Sequence, residues 1–112
     1  MSEKLHKWFI VFFVIICLLF TNSCKKDNTP PVITILGNNP YIYCMASDLP
    51  PPYEDPGATA LDDEDGDITT SINTSSNVNI AVTGIYKVTY TVEDKAGNTT
   101  TANREVNVMY CK

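Results

Sequence analysis

Residues 32–112 predict an all-β sandwich of about seven short strands. Three observations carry that expectation. Short β-branched runs alternate with clusters of Gly, Asn, Asp and Pro, which is the punctuation of strands and turns. None of the runs repeats at the three-to-four-residue spacing of an amphipathic helix. The stretch holds about 80 residues, one small domain at most, and seven strands in that length fit two stacked sheets, with a small barrel as the alternative.

The elements follow in order. VITIL (32–36) is a first strand, stopped by GNNP, and YIYCM (41–45) a second, stopped by SDLPPP. GATAL (57–61) is a third, ended by the acidic run, and DITTSIN (67–73) a fourth. NVNIAV (77–82) is a weaker fifth. GIYKVTYTVED (84–94) is the clearest: Tyr86, Val88, Tyr90 and Val92 fall on one face, expected buried, and Lys87, Thr89 and Thr91 on the other. KAGN (95–98) turns the chain into a last strand near 99–110, whose even positions Val106, Val108 and Tyr110 are again expected inside. Asp65-Gly66 and Gly97-Asn98 are turn chemistry, and Gly57 and Gly66 permit backbone angles that other residues resist.

Ahead of the domain, residues 1–23 read as a secretory signal. Lys4 and Lys7 precede FIVFFVIICLLF (9–20), twelve apolar residues. A helix of that length reaches about 18 Å, short of a hydrocarbon core of about 30 Å, and a basic start, a short apolar core and small residues after it make a signal peptide. TNSC (21–24) resembles a bacterial lipobox, although Thr21 stands where an aliphatic residue is usual. The resemblance implies an acylated Cys24, and SCKKD with a Pro-rich polar stretch behind it looks like many short lipoproteins of Bacteroidetes-type bacteria. Residues 24–31 would then be the lipidated cysteine and a polar tether ending in two prolines, which favour extended chain.

Cleavage after Ser23 would discard every Phe, the only Trp and the only His, leaving six cations against twelve acids, net −6. An acidic chain without a basic stripe argues against a nucleic-acid partner. It also gives anionic lipid nothing to attract, so the acyl chains alone would hold the membrane.

PPVITILG, YEDPGATALDDEDGDIT, TGIYKVTYTVEDKAGN and REVNV together resemble the bacterial Ig-like domain of surface proteins, often repeated, that is named after a pesticidal crystal protein. The resemblance runs from Pro30 to about Met109 and implies an Ig-like antiparallel β-sandwich without catalytic activity. CMASDLPPP departs from it, standing where a glycine turn is usual. In Ig-like sandwiches a tyrosine near the start of a late strand often closes a corner through its hydroxyl. Tyr86 is so placed, with a plain core aromatic as the equal alternative. Such folds also lay their first and last strands side by side. That would bring Cys44 and Cys111 together for a disulfide, which an oxidising compartment permits. Parity argues against the bridge, because Cys111 is out of phase with Val106 and Val108 while Cys44 is in phase with Ile42. A bulge or a strand end would have to turn one of them.

The side chains exclude much chemistry. Without histidine after Ser23 there is no Ser-His-Asp or Cys-His arrangement and no His-ligated zinc. No CxxC and no glycine-rich phosphate loop occur. Catalytic residues are therefore not expected, nor an enzyme. LDDEDGD (61–67) packs five carboxylates into six residues, which is a turn first and at best a weak calcium site. EF-hand spacing fails, since Gly66 as the loop glycine puts Leu61 at the first ligand position and Ile72 at the twelfth. A looser site would draw on Asp55, Asp62, Asp63, Asp65, Asp67 and Asp94, if loops gather at one end of the sandwich as they do in cadherin-like modules. Tyr41 and Tyr43 share a strand face and with Tyr53 would offer a stacking surface, although simple packing is the favoured reading. The expected function is a lipid-anchored envelope module for binding or adhesion to a protein or glycan, facing the periplasm or the surface from the outer membrane. The alternative is a structural spacer or accessory subunit of an envelope assembly.

Overall fold

The computed structural model describes residues 25–45 and 50–112. Residues 1–23, expected to be a signal peptide, and Cys24 lie outside the described residues. Among those described, no helix is long and apolar enough to cross a membrane.

Two sheets stack as a sandwich. One holds three strands in the order β1 (Val32–Ile35), β3 (Ala58–Asp62), β4 (Gly66–Asp67). The other holds four in the order β2 (Tyr41–Cys44), β7 (Thr99–Met109), β6 (Gly84–Glu93), β5 (Asn73–Ser76). Pairing is antiparallel except that β2 runs parallel to β7. Strict alternation sets the inner face of the long hairpin. Val88, Tyr90 and Val92 of β6 and Val106 and Val108 of β7 are buried, and Tyr86 is half-buried. Each fully buried side chain of this size contributes about 1.5–3 kcal/mol. Ile33, Ile35 and Ala58 close the core from the facing sheet.

Four expectations need correction. Residues 67–73 are not one strand. Asp67 Oδ1 accepts the Thr69 amide and a 3-10 turn, Thr69–Ser71, follows before β5 begins. Residues 77–82 form no strand, because nearby side chains compete with the ladder for their backbone amides: Oγ of Ser76, the last residue of β5, accepts Val78 N–H, and Asn79 Oδ1 accepts Ala81 N–H. Val78 and Ile80 still pack on the core. Tyr110 is 74% exposed, since β7 and its pairing stop at Met109. Ile42 faces outward and Tyr43 inward, which removes the parity objection to the bridge. Ile42 pairs in register with Asn107, and Cys44 with Met109, all on the outer face. Cys111 continues that outer row, and the Cys44–Cys111 disulfide forms with 5.3 Å between Cα atoms and no bulge.

Candidate functional site

Three chain segments converge at one end of the sandwich. The inner row of β3, Ala58 and Ala60, continues to Asp62, and the inner row of β6, Val88, Tyr90 and Val92, continues to Asp94. Both aspartates are therefore carried inward by the strand period just where the apolar core ends, and both are buried. The tether supplies Asp27. One carboxylate oxygen from each of Asp27, Asp62 and Asp94 lies within 4.8 Å of the others. Asp62 Oδ2 accepts the Glu64 and Asp65 amides and so builds the acidic turn, while Asp62 Oδ1 is buried without a hydrogen-bond partner among the described residues. Gly66 at φ +75° completes that turn.

Asn98 locks the same end. Its amide N–H and Nδ2 donate to the two oxygens of Asp94, and Nδ2 also reaches the Asp27 carbonyl at 3.1 Å and that of Thr29 at 3.4 Å. Asp65 Oδ2 accepts the Lys95 amide at 2.7 Å, joining the acidic turn to the β6–β7 turn. Desolvation pushes the Asp94 carboxyl up, but the Asn98 side chain and the amides of Asn98, Ala96 and Gly97 outweigh it and hold it below its ordinary value. The Thr29 amide draws Asp27 down. Desolvation and the charges of Asp63, Asp62 and Asp94 outweigh that bond and leave Asp27 above its ordinary value.

The remaining predicted acids go elsewhere. Asp63 is exposed beside Asp27, and Asp67 is exposed and held below its ordinary value by the Thr69 hydroxyl and amide. Asp55 does not join the end cluster. It pairs with Arg104, whose Nε lies 3.0 Å from its Oδ1, and this is the sole ion pair among the described residues. Arg104 is fully buried. It also donates to Tyr90 Oη and to the carbonyls of Asn38, Leu36 and Gly57. The hydroxyls of Tyr90 and Tyr53 donate to the Asp55 carboxylate. Burial first, and then Asp55, pushes both phenols above their ordinary value.

The three tyrosines considered for stacking are packed. Tyr43 is 5% exposed and its hydroxyl donates to the Pro51 carbonyl. Tyr53 meets Tyr41 and Tyr43 edge-on, with ring centroids 5.4 and 6.5 Å apart. Tyr43 thus offers no open ring face, and Tyr41 and Tyr53 are half-buried. The outer face of the four-stranded sheet presents instead a shallow depression of about 420 Å³, lined by Asn39, Asn77, Ile85, Tyr86, Lys87, Asn103 and Glu105. Asn39 is spent on the backbone of Asn103 and Glu105. Asn77 and Asn103 accept hydrogen bonds through their oxygens, and no acceptor among the described residues takes their Nδ2 donors.

Sequence reasoning missed Arg104 and Asp27. Arg104 sits in the even row with Val106 and Val108, so the strand period pointed inward while its charge pointed out. Nothing in the tether marked Asp27.

The stacked sheets and the corner bond, Tyr86 Oη donating to the Val82 carbonyl at 2.8 Å, define an Ig-like β-sandwich. Residues 33–108 match the model of the family described as bacterial surface protein, Ig-like domain, and the chain belongs to that family. Among solved structures it is similar to the structure of CBM51-2 in complex with GlcNAc and INT domains from Clostridium perfringens ZmpB. The identity is 33% and the TM-score 0.54, over 72% of this chain and 17% of that one. The chain thus spans a small part of that longer protein. No curated protein matches it.

Proposed function

We propose that this chain is a non-catalytic, lipid-anchored Ig-like module of the cell envelope that binds a glycan or protein partner. The observation that carries the reading is the depression on the outer sheet. There Ile85, 69% exposed, stands beside the free amide donors of Asn77 and Asn103 and the charged ends of Lys87 and Glu105. An apolar platform ringed by donors and acceptors suits a partner with both a flat apolar face and hydroxyl or amide edges. Membership of a surface-protein family supports an envelope location. Asn22-Ser23-Cys24 behind the short apolar run supports cleavage after Ser23, acylation of Cys24 and outer-membrane attachment. The second reading, an accessory subunit of an envelope assembly, is favoured by Ile42 and Met109, which extend the exposed apolar surface on the same face.

The intact chain tests both parts. Labelled fatty acid should enter the wild type and not Cys24→Ala, and label in the variant refutes the anchor. Wild-type protein should retain a defined glycan on an array or one co-purifying envelope protein. Ile85→Lys should weaken that retention at least about tenfold, the effect of losing about 1.4 kcal/mol. Retention unchanged by Ile85→Lys refutes the site. A glycan marks the binding module and a stoichiometric protein marks the accessory role.

A further inference from the structure

We infer that Asp27, Asp62 and Asp94 form a calcium site that pins the tether to the end of the sandwich. Their three oxygens lie within 4.8 Å of one another. Calcium binds oxygen at about 2.3–2.6 Å, so ligands facing each other across one ion stand up to about 5 Å apart. Asp62 supplies the independent observation. It is 6% exposed, its Oδ2 is fixed by two turn amides, and its Oδ1 is buried without a partner among the described residues. A buried carboxylate oxygen left unmatched is costly, and a cation removes that cost. No lysine or arginine side chain pairs with these three acids among the described residues.

The donor set selects the ion. It is all carboxylate oxygen, which suits a hard cation and not zinc or copper. Magnesium demands near-ideal octahedral geometry at about 2.0–2.1 Å and gives up its water reluctantly, whereas calcium accepts irregular sites with mixed carboxylate, carbonyl and water ligands. Two ligands are placed by the sheets, Asp62 as the last residue of β3 and Asp94 one residue beyond the end of β6, where Asn98 holds both its oxygens. The third, Asp27, comes from the extended tether, whose carbonyls at Asp27 and Thr29 are held by Asn98. A cation there would join the tether, the β3–β4 turn and the β6–β7 turn, and so fix how the domain stands on its leading segment. The site is separate from the depression on the outer sheet.

The test is calorimetric titration and thermal unfolding of the full chain in detergent micelles, with calcium chloride against magnesium chloride at equal ionic strength. Calcium is expected to bind with a dissociation constant of about 10⁻⁴ to 10⁻³ M, as in extracellular modules. It should raise the melting temperature by about 5–10 °C at ten times that concentration, with magnesium giving less. Asp27→Asn lies outside both sheets and leaves the sandwich folded. It should weaken calcium binding at least about tenfold, as should Asp62→Asn, while Asp63→Asn keeps the response. Equal effects of calcium and magnesium, or full calcium binding by Asp27→Asn, would overturn the assignment.

Discussion

A guanidinium taken out of water keeps its charge, so its donors must be met inside the fold. Arg104 meets that demand with all three nitrogens engaged, on Asp55, Tyr90 and the carbonyls of Leu36, Asn38 and Gly57. It thereby ties the β1–β2 and β2–β3 connections to the centre of β7. Removing one partner of such a pair strands the other, at about 3–5 kcal/mol. The whole stability expected of a domain this size is about 4–12 kcal/mol. Arg104→Ala should therefore lose about 3–5 kcal/mol in urea unfolding, and a loss below about 1 kcal/mol would show the pair to be incidental. The phenols add a pH dependence. Burial and Asp55 raise Tyr53 and Tyr90 in the folded state above the unfolded value near 10. Their stabilisation is complete below about pH 10 and falls as pH rises through the folded values. Spectrophotometric titration should show these two phenolates appearing only with unfolding. Ionisation of all six tyrosines near pH 10 in protein with native near-ultraviolet dichroism would contradict the cluster.

Strands differ in how plainly their sequences announce them. β6 and β7 are long and alternate strictly, so their span and inner face follow from the period alone. β2 is four residues with apolar side chains at both parities, and hydrophobicity cannot choose between Tyr41 with Tyr43 and Ile42. The parallel pairing with β7 makes the choice, which is a tertiary effect. β5 reads NTSS, wholly exposed, and exists because β6 offers it an edge. Residues 77–82 are more apolar and form no strand, because Asn and Ser side chains take the backbone amides first. The end cluster was half legible. Extending the inner rows of β3 and β6 by one step lands on Asp62 and Asp94, a geometric consequence of period two. Asp27 lies in a segment without any period, and only the fold brings it there.

At the scale of the whole molecule, the question is what holds a small two-sheet domain whose four-stranded sheet ends in a four-residue edge strand. β2 has a single neighbour, β7, and short edge strands fray readily. The Cys44–Cys111 bridge fastens that edge beyond the last ladder pair, Cys44 with Met109, and closes a sequence separation of 67 residues. On the chain-entropy account a loop of that size stabilises by about 4 kcal/mol, acting through the unfolded chain. In a domain of this length each kcal/mol moves the melting temperature by about 4–8 °C. Reduction of the native protein should then lower the melting temperature by about 15–30 °C, and the paired variant Cys44→Ser with Cys111→Ser should melt where the reduced protein does. Taken from about 4–12 kcal/mol, the expected loss leaves about 0–8 kcal/mol, so hydrogen exchange in β2 should become fast under reducing conditions while β6 stays the better protected strand. A serine variant that melts with the oxidised protein would show that packing against β7, and not the covalent bridge, is what keeps the edge closed.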